Sequence, residues 1–435
     1  MHLTPEEEAM LEGAQGPGVR RAMEMVVALG RIYGARRLVP VEGVQVSGVS
    51  YKNLGEAGLE FLRAWAAEGA RARVPAYLNP AGMDMKAWAA LGIPAEFARQ
   101  QEAVVEAFRR LGVRPTLTCA PYLAMPWPAR GSHLAWAESS AVAFANSLAG
   151  ARTNREGGPS ALAAAITGRT AAYGLHLEEN RQATVEVRVR VPLRDEADFG
   201  ALGIWVGQEV GQGVPAFVDL AEQLPGDGTY HEGHGGNEEG KGKENASCPA
   251  WWTRSAHFLR ALGAAMAAAG AVALFHVWGV TPEVRDAPAL GRAKHRLEVT
   301  SLREVYARLN APAEQVDLVH IGCPHASLEE IRQVAEAVAG QRLAARLWVT
   351  TGRAVREAAA RRGWVAQIAA AGGHVVADTC AVVAPIQALG VRVLATNSAK
   401  TAFYAPAHSG VAVRFGNLAR CLEAARTGRW PGGER

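Results

Sequence analysis

Short apolar runs ending in turn residues recur along this chain, and the stretches between them carry helix-start signals. The runs cover residues 38–49, 73–78, 115–118, 316–321, 346–349, 374–377 and 391–395. Thr4-Pro5-Glu6-Glu7 places an N-cap threonine before a first-turn proline, with glutamate at the third helical position. Ser301 with Glu304, and Ser327 with Glu330, repeat that capping box. Strand alternating with helix at this rhythm predicts an α/β fold built of several parallel βα lobes. Residues 184–191 alternate apolar and polar side chains strictly, which predicts a strand with one wet face. Residues 261–280 are alanine-rich, interrupted by Gly263, Gly270 and Gly279 and followed by Pro282. They read as a buried helix and a buried strand rather than a membrane span.

With 435 residues the chain is long enough for two or three lobes. Lysine and arginine number 46 against 42 acidic residues, a formal charge of +4. Spread over this length, that charge leaves no nucleic-acid footprint. The start, Met1-His2-Leu3-Thr4, lacks the basic head and apolar stretch of a secretory leader, so a cytoplasmic location is expected. Residues 226–245 are rich in glycine, glutamate, lysine and histidine and almost free of aliphatic side chains. We read 226–250 as a mobile polar insert dividing an N-terminal part, 1–225, from a C-terminal part, 251–435.

Of five cysteines, Cys119, Cys323 and Cys380 each follow a strand-like run. In open α/β sheets that edge is where ligands bind. Three thiols distant in sequence can converge there, and three thiolates on an iron–sulfur cubane leave one iron open for Lewis-acid chemistry. Spacing alone leaves a second reading open, since free cysteine is a common core residue. Cys421 fits the core reading, on an apolar stripe with Leu418, Leu422 and Ala425. Cys248, beside the polar insert, is not assigned.

Polar clusters follow several of the same runs. Ser50 and Lys52 lie in Gly48-Val-Ser-Tyr-Lys-Asn-Leu-Gly55, and Asn79 and Asp84 follow the next strand. Glu138 and Ser139 precede a third cluster containing Arg152, Asn154 and Arg155, which opens a helix near Pro159. Arginines with glycine-freed amides at a helix N-terminus can cradle a carboxylate or phosphate, although ordinary capping would use the same residue types. Ser398 and Lys400 form a further cluster after the strand at 391–395. His276 reads as a satisfied core group, whereas His320 and His325 flank Cys323 and are placed to tune it by hydrogen bonding.

Taken together, these blocks resemble the aconitase X catalytic domain. They are residues 48–55 and 79–84, Thr118-Cys119-Ala-Pro-Tyr122, Trp136-Ala-Glu-Ser-Ser140, residues 151–160, Ile321-Gly-Cys-Pro-His325, Asp378-Thr-Cys380 and residues 396–405. The likeness runs from about residue 40 to about residue 410. It implies an aconitase-like core around a central iron–sulfur cluster, of four-iron or two-iron type, held by Cys119, Cys323 and Cys380. It implies a dehydratase acting on a small anionic substrate, 5-phosphomevalonate or cis-3-hydroxy-L-proline. The Arg152–Arg155 loop, with Lys52, favours the phosphate. The family's swivel domain carries the serine base, and too little chain follows Lys400 to contain it. A small swivel-type subunit is therefore the expected partner, with no role for nucleic acid or membrane. A metal-free binding or scaffold subunit remains the alternative of a different class.

Overall fold

The computed structural model describes residues 1–224, 254–284, 293 and 295–432. The expected mobile insert and Cys248 lie outside those residues. The described chain forms three α/β lobes, and the sheet of the second takes strands from both sides of residues 226–250, so the parts 1–225 and 251–435 share it.

In the first lobe, α1 (Pro5–Glu12) begins with the predicted capping box: Thr4 accepts from the Glu7 N–H, and Glu7 accepts from the Thr4 N–H. The strands are β1 (Leu38–Pro40), β2 (Gly43–Val46), β3 (Ala76–Leu78), β4 (Leu134–Trp136) and β5 (Arg169–Ala171). β2 runs parallel to β3 on one side and β4 on the other, while β1 and β5 pair antiparallel. α2 (Pro17–Ile32), α3 (Tyr51–Ala67), α4 (Ala95–Arg110), α5 (Ser139–Ser147) and α6 (Gly158–Thr167) complete the lobe. Val44, Val46, Trp65, Leu78, Phe108 and Ile166 share its core.

The second lobe is a parallel sheet in the order β8-β7-β6-β9, from β6 (Val185–Val189), β7 (Pro215–Phe217), β8 (His276–Val277) and β9 (His295–Val299). β6 shows the predicted alternation, with Val185, Val187 and Val189 buried and Glu186 and Arg188 half-exposed. α7 (Glu196–Val210) packs on α8 (Arg254–Ala269), and α8 with β8 realises the helix and strand read from 261–280. The crossing is close enough that a Cβ on Gly203 would lie 2.5 Å from the Leu262 carbonyl oxygen.

α9 (Arg303–Leu309) leads to the third lobe. Its five-stranded parallel sheet has the order β12-β11-β10-β13-β14. The strands are β10 (Leu318–Ile321), β11 (Arg346–Thr351), β12 (His374–Ala377), β13 (Val393–Thr396) and β14 (Ala412–Phe415). α10 (Leu328–Val338), α11 (Arg353–Arg361), α12 (Trp364–Ala370), α13 (Ala399–Ser409) and α14 (Leu418–Thr427) flank it. Cys421 is fully buried here among Val319, Val334, Ala395 and Trp430, the core role its stripe predicts.

Two local expectations are corrected. Residues 115–118 are not a strand, because Leu117 adopts a positive φ of 50° and turns the chain away after Arg114 has bridged to Tyr77. Ser301 does not open a capping box: α9 starts after Leu302, and the Ser301 hydroxyl accepts from the Arg303 N–H. Among the described residues no helix is long and apolar enough to cross a membrane.

Candidate active site

Parallel βα units bring the turns after their strands to one edge, and here that edge is built by two lobes. The chain leaves β2 into Ser50 and Lys52, β3 into Asn79, β4 into Glu138, β10 into Cys323, β12 into Cys380 and β13 into Ser398 and Lys400. Cys119 arrives on the extended segment that hugs β3, where the Thr118 N–H donates to the Leu78 carbonyl at 3.1 Å.

Cys119 and Cys380 are buried and Cys323 is half-exposed, opening on a small pocket of about 30 Å³ beside Glu196, His257 and Ser398. Burial pushes the Cys119 thiol well up, Glu138, Cys323 and Cys380 add to the rise, and Lys400 opposes it. Burial, with Cys323, pushes Cys380 up to about 12. Cys119 and Cys380 therefore both feel the charge of Cys323, although Cys119 comes from another lobe. Among the described residues no three His, Cys, Asp or Glu side chains close on a point that would hold a single metal ion. A single tetrahedral ion needs each sulfur about 2.3 Å from one centre. Several thiolates without nitrogen or oxygen partners are the donor chemistry of an iron–sulfur cluster. Buried thiols of raised pKa give up their protons only to a strongly cationic group, as metal binding requires. The hydroxyls of Thr379 and Thr401, beside Cys380 and Lys400, are buried without a hydrogen-bond partner among the described residues. The residues present thus fit such a cluster.

Next to the thiols stands a buried ion pair. Lys400 binds Glu138 and reaches the Ser140 hydroxyl at 3.4 Å. The Asn79 amide donates to the other Glu138 oxygen at 2.7 Å, while Ser139 and Ser140 donate to the first at 3.3 and 3.2 Å. Burial alone would raise Glu138, but Lys400 and Asn79, with Arg155 behind them, hold it down at about 2. Glu138 likewise holds Lys400 in its charged form against burial. Across the cleft, Lys52 donates to the Ser409 hydroxyl at 3.1 Å, and Ser50 donates to the Val383 carbonyl at 2.9 Å. Burial pulls Lys52 down, and the nearby Cys380 pushes back. Ser398 caps α13 by accepting from the Thr401 N–H.

The remaining expected site residues are placed differently. Asp84 is fully buried and clasps the first lobe to the third. It accepts from Arg353 at 2.6 Å and from the Ala377, Lys86 and Ala87 N–H groups, which spend it on holding the chain together. Arg152 pairs with Glu178 and donates to the His176 carbonyl, on the side away from the thiols. Asn154 is used on Tyr173 and Leu175. Of that loop only Arg155, exposed and close enough to lower Glu138, serves the cleft. The anion cradle read from 152–158 is therefore largely a structural clasp, because short polar side chains cap local turns as readily as they bind ligands.

Sequence reading missed Arg353, Glu196, His257 and Arg260. The last two had a signal: they sit three apart on α8, a helix that is mostly alanine and other apolar residues beyond them. His257 binds Glu196 and faces Glu330 at 3.7 Å, and Arg260 faces the same Glu330.

Fold and site define an α/β protein in which three cysteines from two lobes lie by a buried lysine–glutamate pair. The family profiles named Aconitase X first, second and third domain match residues 1–179, 183–307 and 316–427. The chain belongs to the aconitase X family. It is 47% identical to the phosphomevalonate dehydratase large subunit of Methanothermobacter thermautotrophicus, over 94% of this chain and 95% of that one. It is 43% identical to the protein of the same name from Methanocaldococcus jannaschii, over 97% and 100%. The cis-3-hydroxy-L-proline dehydratase of Pseudomonas aeruginosa is 36% identical over 98% of this chain and 70% of that one. The crystal structure of Thermococcus kodakaraensis aconitase X in its holo-form superposes with a TM-score of 0.84 at 42% identity, covering 98% and 100%. The chain is accordingly a hydro-lyase of the dehydratase type.

Proposed function

We propose that this chain is the cluster-bearing large subunit of a phosphomevalonate dehydratase, holding a four-iron cluster on Cys119, Cys323 and Cys380 and working in the cytoplasm with a small, swivel-type subunit. The reading rests on one observation above the rest: three thiols from two lobes gather beside a buried, charged Lys400–Glu138 pair. When bound, the cluster supplies an open Lewis-acid iron, which makes a substrate hydroxyl a better leaving group. Lys52 and the exposed Arg155 offer charge to a phosphate, and Lys400, Asn79 and Ser139 fix the carboxylate end. Dehydration breaks a C–H bond and the neighbouring C–O bond, forms a carbon–carbon double bond and releases water. The proton needs a positioned base. Glu138, held near 2 and fully engaged, is too weak a base to take it, so we assign that step to a partner subunit, whose existence the relatives' name, large subunit, implies.

An anaerobic assay of both family substrates, with and without the small subunit, tests the reading. Phosphomevalonate should be dehydrated only by the pair, and Cys119→Ser, Cys323→Ser and Cys380→Ser should each lose iron and activity while Cys421→Ser keeps both. Turnover of cis-3-hydroxy-L-proline alone would transfer the chain to that activity, and full iron in all three serine variants would remove the cluster.

A further inference from the structure

His325 uses all four of its polar groups, and each reaches a different part of the thiol site. Its backbone N–H donates to the Cys119 sulfur at 3.2 Å. Its ring Nε2 lies 3.0 Å from the Thr379 carbonyl, next to Cys380. Its ring Nδ1 lies 2.9 Å from the Thr118 hydroxyl, next to Cys119. Its own carbonyl accepts from Arg260 Nη2 at 2.8 Å. Two residues upstream is Cys323.

The proton positions follow from the partners. A carbonyl only accepts, so Nε2 carries the hydrogen and donates to Thr379. In a neutral ring Nδ1 then accepts, and the Thr118 hydroxyl donates to it. That hydroxyl's oxygen remains free to accept the Ala120 N–H at 3.1 Å, which fixes the turn on the far side of Cys119. Arg260 extends the frame to the same turn, donating to the Tyr122 hydroxyl at 3.2 Å. A planar ring thus joins the Cys119 and Cys380 turns and is bonded in sequence to the third.

We propose that His325 is a positioning residue that sets the spacing of Cys119, Cys323 and Cys380 and assembles the site before any cluster enters. The consequence for iron rests on the cluster reading above; the consequence for the thiols does not. The histidine and its threonine partner act through the sulfurs and touch no substrate. Outer hydrogen-bond partners of this kind orient ligands and tune the metal they hold.

The test uses the full chain as wild type, His325→Ala, Thr118→Val and the conservative Thr118→Ser. Thr118→Val keeps the volume, removes the hydroxyl, and carries the test if His325→Ala does not fold. Metal-free protein is alkylated with iodoacetamide under native conditions, and each cysteine is followed by mass spectrometry. Separately, protein loaded anaerobically with iron and sulfide is challenged with a chelator. Cys119 should react faster in His325→Ala and Thr118→Val, with Cys421 unchanged, and iron should leave about 10–100 times faster. Thr118→Ser should behave as wild type in both arms. Wild-type rates in Thr118→Val, or equal acceleration at Cys421, which marks general loosening, would overturn the proposal. If wild type takes up no iron the cluster reading fails, and the alkylation arm still decides the positioning claim.

Discussion

Lys400 and Glu138 are each about nine-tenths out of water and depend on one another for their charge. Removing one member of a buried pair strands the other, at a cost of about 3–5 kcal/mol, whereas replacing both is far cheaper. Lys400→Met should therefore unfold at markedly lower temperature than wild type, and Lys400→Met with Glu138→Gln should recover most of the loss while remaining inactive. Calorimetry of wild type and the two variants checks this, and equal destabilisation of the single and double variants would show that the pair is not coupled. At this scale the cysteines were singled out in the sequence because each follows an apolar run. Asp84 and Arg152 were misread because a buried structural carboxylate and a surface ion pair use the same residue types as a binding site. No local pattern announces that Asp84 will meet Arg353, since that contact exists only once two lobes have docked.

The α7–α8 crossing depends on glycine. A Cβ at Gly207 would sit 2.8 Å from the Met266 carbonyl oxygen, and one at Gly203 would meet Ala265 as well as Leu262. Gly203→Val should push α8 outward and cost about 1–3 kcal/mol by overpacking. Because α8 carries His257 and Arg260, the same change should loosen the Cys323 pocket. Thermal denaturation and cysteine alkylation together read both effects, and an unchanged melting temperature would refute the close packing. Helices and most strands were legible from caps and periodicity. Residues 115–118 were not, because a single left-handed residue, Leu117, ends the ladder without glycine to announce it.

Across the whole molecule, the lobes meet around groups that titrate. Burial lowers His257, but Glu330 and Glu196 outweigh it, so its pKa is raised above the ordinary 6.5. Burial raises Glu196, but His257 and Asn397 outweigh that, so its pKa is lowered below 4.5. The histidine's contribution is full below pH 6.5 and is lost as pH rises through its raised value. The glutamate's contribution is full above pH 4.5 and is lost as pH falls through its lowered value. Their joint support is greatest between the two, with Arg260 facing the same Glu330. His257→Asn should flatten the alkaline side of the melting-temperature profile relative to wild type. Parallel profiles above pH 6.5 would show that this pair does not set the pH dependence.

The thiol site also sets a timetable for biosynthesis. Cys119 leaves the ribosome early, but β10, which leads into Cys323, pairs with β13, and β13 pairs with β14. The frame around Cys119 is therefore incomplete until some 300 more residues have been translated, as proteins with distant pairings demand. Iron loading is predicted to be a post-translational event, and nascent chains stalled before β13 should capture no iron from a cluster donor that charges the released protein. Until then the cell holds a chain whose thiols have not been brought together.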